Sequence, residues 1–354
     1  MNLDNLEHFA QIDSEHMIKH IDRLPDQLEN AWNLGQRLEL PKWENIQRVL
    51  VVGMGGSAMG ADLLVAYCKH TCTVPLLVNR DYDLPAWARG PETLVVAASH
   101  SGKTQETLAG YQQAIENGCS VLAITTGGQL GELASRKGTT LWEYHYDSQP
   151  RAAVGFSFCL LTAVVTRLNL IPDPSAELTS AVNAMRQAQT QLKADTSTVQ
   201  NPAKRLAGQL VDRWAVVIGS GILAPVARRW KNQINELAKA WGQFEILPEA
   251  DHNLLAGAQN PAEVLSKTVV LFLRAPSDRP DERLRNDLTR KAFMLQGLGT
   301  DPIDAKGETP LAHMWTALHF GDYTAFYLAM AYGINPTPIE IIELFKQDMQ
   351  SSGD

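Results

Sequence analysis

The sequence predicts an α/β protein made of two doubly wound domains, each a mainly parallel sheet flanked by helices. Short apolar runs without polar alternation recur along the chain, and helix-like segments separate them. Parallel strands need crossover helices between them, so this alternation favours parallel sheets. Glycine turns follow two of the apolar runs, at Gly53 and Gly219, 166 positions apart. The second half therefore resembles the first, as a duplication would produce.

Length and composition agree with this prediction and exclude several classes. At roughly 100 to 200 residues per domain, 354 residues favour two domains with real cores. Hydrophobic residues make up 45% and charged residues 20%, which excludes disordered, collagen-like and coiled-coil proteins. The net charge of -8 argues against a broad nucleic-acid surface, so any anion site must be local.

The chain carries no sign of a membrane or a disulfide framework. No apolar run approaches the ~20 residues of a membrane span, and acids stand where a signal peptide would place basic residues. We therefore expect a cytoplasmic protein without a membrane partner. Four cysteines, with only Cys68 and Cys72 close together, fit neither disulfides nor a zinc motif, so reduced structural cysteines are expected.

Four segments follow one another along the chain. Residues 1–46 are predicted as a helical leader, because apolar residues keep a helical period from Ile18 to Leu28 and Pro41 interrupts it. Residues 47–172 form the first domain, and 173–201, rich in Ala, Gln, Ser and Thr, a polar helical connector. Residues 202–354 form the second domain with C-terminal helices. The predicted strands are Val49 to Val52, Leu76 to Val78, Leu94 to Ala98, Val121 to Ile124, Trp214 to Ile218, Phe244 to Leu247 and Thr268 to Leu273.

The first glycine turn, Gly53-Met54-Gly55-Gly56-Ser57, lies between a strand and a helix, where main-chain amides can bind an anion. It matches the dinucleotide fingerprint weakly, with Ala58 at the sixth position. The acid expected about 20 residues later is not clearly placed. A nicotinamide or flavin enzyme and an empty tight turn both remain open at this point.

A second segment concentrates hydroxyl groups at the start of another predicted helix. Ser99, Ser101 and Thr104 follow the strand that ends at Ala98. Together with free amides they would bind a phosphate without a basic patch, which reconciles an acidic protein with a phosphorylated ligand. Helix capping is the plainer interpretation, and this segment alone does not decide between the two.

The two segments together resemble the sugar isomerase (SIS) domain, which pairs a Gly-Gly-Ser loop with a Ser-x-Ser-Gly-x-Thr-x-Glu-Thr loop. Three further motifs resemble the bifunctional phosphoglucose/phosphomannose isomerases. These motifs are Asn232 to Lys239, Pro248 to Asn253 and Asn335 to Pro338. The likeness runs from about Arg48 to Lys346, and the ordered set of five motifs is far more specific than any one of them.

The resemblance implies a role for each matching residue. Glu236 would shuttle the proton between adjacent sugar carbons, and Arg151 would stabilise the enediolate. His252 and Lys346 would open the sugar ring. A threonine at position 337 would leave room for either configuration at the second carbon. The phosphate would bind to Gly56, Ser57, Ser99, Ser101 and Thr104.

Each catalytic candidate also has a plainer interpretation. Glu236 would pair with Lys239 on a helix face, and His252 would be a polar turn residue. Arg151 would lie at the surface, and Lys346 would be a cation near a helix carboxyl end. Only their joint occurrence with the two loops favours the catalytic roles.

The sequence also departs from the family pattern at three places. Leu254 stands where an acid usually follows the His-Asn pair, which puts the tuning of His252 in question. His100 and Lys103 replace an aromatic residue and an asparagine. Neither of these two changes removes a hydroxyl group from the loop.

The resemblance implies an aldose-ketose isomerase acting on glucose 6-phosphate, and on mannose 6-phosphate, to give fructose 6-phosphate through a cis-enediol. It implies no cofactor and no metal, and a homodimer in which the histidine loop enters the partner's site. A non-catalytic phosphosugar sensor is the main alternative, although Glu236 and His252 together argue against it. An amino-sugar-forming transferase would need a nucleophilic cysteine near Met1, and none is there.

Overall fold

The computed structural model describes residues 2–351, which form fourteen helices and nine strands. The helices are α1 Leu6–Ile12, α2 Met17–Asp22, α3 Leu24–Arg37, α4 Gly55–Cys68, α5 Gln105–Glu116, α6 Gly128–Lys137, α7 Val154–Arg167, α8 Ser175–Gln189, α9 Pro202–Leu210, α10 Ala224–Ala238, α11 Ala262–Ser266, α12 Pro280–Leu295, α13 Pro310–Tyr332 and α14 Glu340–Ser351. The strands are β1 Arg48–Val52, β2 Leu76–Asn79, β3 Thr93–Ser99, β4 Ser120–Thr125, β5 Thr140–Glu143, β6 Trp214–Gly219, β7 Gly242–Ile246, β8 Thr268–Arg274 and β9 Gly299–Asp304.

Two parallel sheets confirm the predicted α/β class. The first sheet has the strand order β2-β1-β3-β4-β5, and the second has β7-β6-β8-β9. Every pairing within the two sheets is parallel. In each sheet the direction in which successive strands are added reverses once. The reversal lies between β1 and β3 in the first sheet and between β6 and β8 in the second. Such a switch point opens a crevice at the carboxyl ends of the strands, where ligands bind in α/β proteins.

The seven predicted strands are all present, but two edge strands were not predicted. Thr140–Glu143 and Gly299–Asp304 close one edge of each sheet as β5 and β9. Both are short and carry polar residues, and β9 contains Pro302, which removes a backbone donor. Edge strands tolerate these residues, so neither strand displays the apolar run that identifies a central strand.

The leader and the connector contribute to the core. Helix α3, which begins at Leu24 and has Pro25 in its first turn, packs against α7. Helix α8, in the segment predicted as a polar connector, packs against α3 and α13 and buries Leu178 and Met185. One apolar cluster extends from the leader through both halves to α13. The boundaries at 47, 173 and 202 stay a prediction.

The C-terminal helices differ sharply in burial. Most of α13 is buried against α8, α9 and α10, and the helix ends at Gly333, whose φ is +67°. The break predicted at 336–338 follows, and the side chains of α14 described from Glu340 to Met349 are all exposed. Within residues 2–351, no helix is both long and apolar enough to cross a membrane.

Candidate functional site

The first glycine turn lies at the start of α4, directly after β1. Ser57 is buried in the first turn of the helix, and its Oγ accepts a hydrogen bond from the main-chain N of His100 at 3.2 Å. The N-cap residue, Met54, makes no side-chain hydrogen bond that would cap this helix end. The amino terminus of α4 therefore presents its positive end to the crevice beside β1.

The hydroxyl loop lies on the other side of the switch point, between β3 and α5. Ser99 Oγ and Thr104 Oγ1 hydrogen-bond to each other at 3.0 Å, and Ser101 Oγ accepts from the main-chain N of Lys103 at 3.3 Å. Thr104 is the N-cap residue of α5, yet its side chain makes no capping hydrogen bond. Helix capping therefore does not account for Thr104. Gly102, with φ of +64°, makes the turn that returns the chain to α5.

Arg151 lies beside the glycine turn at 53–57 because the main chain at Pro150 and Arg151 packs closely against Gly56. A Cβ on Gly56 would lie 2.5 Å from the carbonyl oxygen of Pro150 and 3.2 Å from the main-chain N of Arg151. Any side chain larger than hydrogen would separate the two segments. Glycine at position 56 thus permits the contact between the amino terminus of α4 and the turn that carries Arg151.

Arg151 is buried, with 3% of its surface exposed, so the interpretation as a surface arginine is wrong. Its Nη2 donates to the carbonyl oxygen of Pro336 at 2.9 Å and to that of Thr337. Its Nη1 lies 3.8 Å from Oε2 of Glu236. Burial lowers the pKa of Arg151, and the charge of Glu236 opposes that shift. A buried guanidinium therefore joins the first domain to a carboxylate of the second.

Glu236 and Thr337 meet at this guanidinium. Glu236 lies in the last turn of α10, and 29% of its side chain is exposed. Thr337 is buried, and its Oγ1 has no hydrogen-bond partner among the described residues. Its main-chain N donates to Oδ1 of Asn335 at 3.0 Å, which shapes the turn before α14. The predicted proton shuttle and the predicted specificity residue thus flank Arg151.

His252 and Lys346 are not joined to this cluster in the single chain. His252 ends a short 3-10 turn, Glu249–His252, that follows β7. It is exposed, and no hydrogen bond links its imidazole to another described residue. Lys346 lies on the exposed helix α14. Leu254, the residue that departs from the family pattern, is partly buried and packs against an apolar cluster of the second sheet that contains Ile218 and Phe272, where an acid would be partly desolvated.

Two residues of the site carry contacts that sequence reasoning missed. His100 is buried, with Nδ1 3.0 Å from the hydroxyl of Tyr144 and Nε2 2.9 Å from the carbonyl oxygen of Ser148. Lys239 binds main-chain oxygens, among them that of Glu236 at 2.9 Å, which differs from the expected charge pair with the Glu236 carboxylate. Two features signalled these contacts. His100 departs from the family pattern, and Lys239 stands at the carboxyl end of a helix.

The second glycine turn, Gly219-Ser220-Gly221, differs from the first in what faces it. A Cβ on Gly221 would lie 3.0 Å from Oε1 of Glu282, so a carboxylate approaches this turn. That carboxylate also accepts from the main-chain N of Arg279 at 3.0 Å and helps to begin α12. A negative charge at this place disfavours the pyrophosphate of a dinucleotide. The duplicated turn therefore gives no support to the nicotinamide alternative.

Comparison with known proteins yields matches over most of the chain. Residues 199–349 match the family model described as the bacterial phospho-glucose isomerase C-terminal SIS domain. The bifunctional phosphoglucose/phosphomannose isomerase of Caldicellulosiruptor bescii is 34% identical over 96% of this chain and 100% of its own length. The enzyme of the same name from Aquifex aeolicus is 32% identical over 87% of this chain and 94% of its own length.

A solved structure shares the fold at low sequence identity. A hypothetical protein from Thermus thermophilus superposes with a TM-score of 0.74 at 16% identity, covering 99% of this chain and 93% of its own. Identity at that level supports the fold alone. The family follows from the curated relatives, which match nearly the full chain at 32% and 34% identity. The chain belongs to the family of bifunctional phosphoglucose/phosphomannose isomerases.

Proposed function

We propose that this protein interconverts glucose 6-phosphate and mannose 6-phosphate with fructose 6-phosphate through a cis-enediol. The observation that carries the proposal is the position of buried Arg151, within 3.8 Å of the Glu236 carboxylate and beside the glycine turn of α4. In this proposal Glu236 is the base, Arg151 the cation and the amino terminus of α4 the anion-binding group of one crevice. These are the groups that an enediol isomerisation of a sugar phosphate requires.

The phosphate binds at the switch point of the first sheet in this proposal. The amino termini of α4 and α5 flank the crevice, and Ser57, Ser99, Ser101 and Thr104 supply hydroxyl groups. Gly56 contributes to phosphate binding in this proposal by holding the amino terminus of α4 against the turn that carries Arg151. Helix ends and hydroxyls bind a dianion without a basic patch, which agrees with the net charge of -8.

Glu236 moves the proton between the first and second carbons. One carboxylate can remove the proton from one carbon and return it to the next on the same face of the enediol. Negative charge develops on the sugar oxygen during this step, and the guanidinium of Arg151 stabilises it from within a buried environment. Glu236 supplies the base and Arg151 the stabilising charge, so we propose that no cofactor or metal takes part.

Thr337 contributes to the acceptance of both epimers. Glucose and mannose phosphates differ only in the configuration at the second carbon. The buried Thr337 hydroxyl lacks a partner among the described residues, so it is available to a sugar hydroxyl. Its short side chain leaves space for either configuration.

His252 and Lys346 act from a homodimer in this proposal. Both side chains are exposed and lie outside the Arg151 cluster of their own chain. Helix α14 exposes 79% of Ile341, 59% of Leu344 and 64% of Phe345, an apolar face that a second copy would cover. We propose that dimerisation brings the histidine loop of one copy into the site of the other, where it opens the sugar ring.

We also propose a cytoplasmic location, on the basis of the cysteines. All four cysteines are free thiols, at positions 68, 72, 119 and 159. Burial raises the pKa of the Cys119 thiol, and Cys159 is fully enclosed in the core, so neither is poised to react. Free structural thiols are typical of a reducing compartment.

The activity is tested with purified, chelator-treated protein and fructose 6-phosphate. Separate coupling enzymes report glucose 6-phosphate and mannose 6-phosphate, and Glu236→Gln is compared with Glu263→Gln on helix α11, which carries none of the proposed site residues. We expect both products from the protein and from the α11 variant, and neither from Glu236→Gln. If wild-type protein binds fructose 6-phosphate and forms neither product, the sensor alternative replaces the enzyme.

Shared active sites are tested by mixing two inactive variants. A mixed dimer of Glu236→Gln with His252→Asn would contain one site with both residues intact and one site that lacks both. Random mixing should restore about a quarter of wild-type activity, since half of the dimers are mixed and each has one intact site. If mixing restores no activity while mass measurement shows mixed dimers, His252 acts within its own chain.

A further inference from the structure

Lys239 contacts main-chain carbonyl groups from two separate segments. Its Nζ donates to the carbonyl oxygens of Glu236 at 2.9 Å and Leu237 at 3.4 Å, which belong to the last turn of α10. It also donates to those of Asn335 at 3.0 Å and Pro336 at 3.2 Å. A single ammonium group thus bridges the end of the helix that carries Glu236 to the turn that carries Thr337.

The backbone at Lys239 adopts a conformation that aims the side chain at these carbonyls. Lys239 is the C-cap residue of α10 and has φ of +52°, in the left-handed region. Non-glycine residues adopt this region at a cost of about 1 kcal/mol or more. Carbonyl groups at a helix carboxyl end lack intrahelical donors and attract a cation, which compensates that cost.

Two cationic side chains from separate segments of the chain, Arg151 and Lys239, bind the turn at residues 335–337. Arg151 Nη2 donates to the carbonyl oxygens of Pro336 and Thr337, while Lys239 Nζ donates to those of Asn335 and Pro336. The carbonyl of Pro336 accepts from both. Hydrogen bonds from charged donors are about twice as strong as neutral ones, so the turn is held chiefly by these two side chains.

We infer that Lys239 is a positioning residue of the isomerase, which holds the Thr337 turn against the helix end that carries Glu236. The inference rests on the proposed function. Lys239 touches neither the sugar nor the proton in this account, and it acts through main-chain oxygens alone. It fixes the distance between the carboxylate that moves the proton and the threonine beside the second carbon.

The bridge depends on the charge of Lys239. Desolvation and the charge of Arg151 lower the pKa of Lys239 to about 8, although the charge of Glu236 opposes the shift. Asp212 and Arg213 line the same cleft as Lys239. The ammonium donates three hydrogen bonds, and the neutral amine donates two weaker ones. The bridge should therefore weaken as pH rises through about 8.

The test compares Lys239→Met and Lys239→Arg with wild-type protein between pH 6 and 10. Lys239 lies at the protein surface with only its ammonium group partly enclosed, so both variants should fold. Lys231→Met, eight residues earlier on the same helix, is the matched control. For each protein, kcat and KM for fructose 6-phosphate, the ratio of the two products and the melting temperature are measured.

We expect Lys239→Met to lower kcat/KM at pH 7 by about tenfold or more, the size of one lost charge-assisted hydrogen bond. Its product ratio should change, and any fall in its melting temperature should be too small to unfold the protein at the assay temperature. Lys239→Arg should keep activity and move the alkaline decline of wild-type protein to higher pH, since arginine stays charged. Lys231→Met should behave as wild type.

Three results would overturn the inference. One is a Lys239→Met variant that retains wild-type kcat/KM and product ratio. Another is an alkaline decline that is the same in wild type and Lys239→Arg. The third is a loss of activity that a parallel loss of melting temperature fully explains. If wild-type protein itself forms no product, the proposed function fails, which is a separate and distinguishable outcome.

Discussion

The Nη1 atom of Arg151 lies 3.8 Å from Oε2 of Glu236, and the two residues come from different halves of the chain. Arg151 is almost fully buried, whereas 29% of the Glu236 side chain remains exposed. A charge held in a buried environment acts strongly on the group beside it, because little water screens it. The exposed part of the carboxylate remains accessible to a substrate.

Replacement of Arg151 by lysine should abolish most activity. A lysine ammonium cannot hold two carbonyl groups and face Glu236 in the fork geometry of a guanidinium. We expect Arg151→Lys to lower kcat by about 100-fold, the usual effect of removing a donor that stabilises developing charge. Steady-state kinetics beside Arg136→Lys, an exposed control on α6, measures this. An Arg151→Lys enzyme with unchanged kcat would refute the role given to the guanidinium.

His100 should support the crevice as a neutral side chain. The carbonyl oxygen of Ser148 only accepts hydrogen bonds, so Nε2 of His100 carries the proton and Nδ1 accepts from the hydroxyl of Tyr144. Burial lowers the pKa of His100, which keeps this form at neutral pH. The bond to Ser148 ties the hydroxyl loop to the segment that leads into Arg151.

His100→Phe should therefore destabilise the protein and weaken substrate binding. The buried hydroxyl of Tyr144 and the partly buried carbonyl of Ser148 would lose their partner, at a cost of about 2 kcal/mol in the free energy of unfolding. We expect a higher KM for fructose 6-phosphate, because the displaced loop carries Ser99 and Ser101. Denaturant unfolding and KM are measured beside the exposed control His70→Phe. Equal stability and equal KM in both variants would contradict this account.

Asp278 should make stability depend on pH. Burial and the charge of Glu282 raise its pKa to about 6, although hydrogen bonding from Ala275 and the charge of Arg283 oppose the shift. Between pH 4 and 6 the folded state binds more protons here than the unfolded state, whose carboxyl has its ordinary pKa near 3.8. This group therefore contributes stability at low pH that is lost as pH rises through about 6.

The substitution Asp278→Asn should remove the loss of stability that accompanies ionisation of Asp278. We expect the free energy of unfolding at pH 7.5 to rise by about 1 to 2 kcal/mol, since a neutral amide replaces a buried charge. The gain should shrink at pH 5, where the aspartic acid of the wild type is largely protonated. Urea unfolding at both pH values, with the exposed Asp195→Asn as reference, measures the difference. A gain of equal size at both pH values would be inconsistent with the raised pKa.

Charges on the apolar face of α14 should disrupt the dimer. Ile341 and Phe345 are four residues apart, so they lie on one face of the helix, and both are exposed in the single chain. The double variant Ile341→Glu, Phe345→Glu should sediment as a monomer and lose activity, because His252 would no longer reach a partner's site. The exposed pair Gln347→Glu, Asp348→Asn is the reference. A dimeric, active double variant would show that this face is not the interface.

The sequence predicted the central strands, the edge strands β2 and β7, and the turns that follow β1 and β3, because all of them have local signals. Uninterrupted apolar runs mark the buried strands, and glycine or hydroxyl clusters mark the turns after them. The edge strands Thr140–Glu143 and Gly299–Asp304 lack such a signal, since an edge position does not demand an apolar run. The polar composition of residues 173–201 likewise gave no indication that α8 buries Leu178 and Met185.

Long-range contacts of the site could not be predicted in the same way. Arg151 follows a proline in a polar stretch, and only the folded chain places it against Pro336, Thr337 and Glu236. Lys239 was expected to face the Glu236 carboxylate, but the helix ends at Ala238 and the left-handed backbone turns Lys239 toward main-chain oxygens. The order of the motifs along the chain indicated which residues share the site. Their individual contacts depend on the tertiary fold.

The central claim is that Glu236 moves the proton of the enediol beside Arg151. The most direct measurement is deuterium incorporation at the second carbon of glucose 6-phosphate formed from fructose 6-phosphate in deuterated water. Wild-type protein should place deuterium there, and Glu236→Gln should lose both isomerisation and exchange while still binding the sugar phosphate. Exchange at the wild-type rate in Glu236→Gln would contradict the claim and assign the proton transfer to another group.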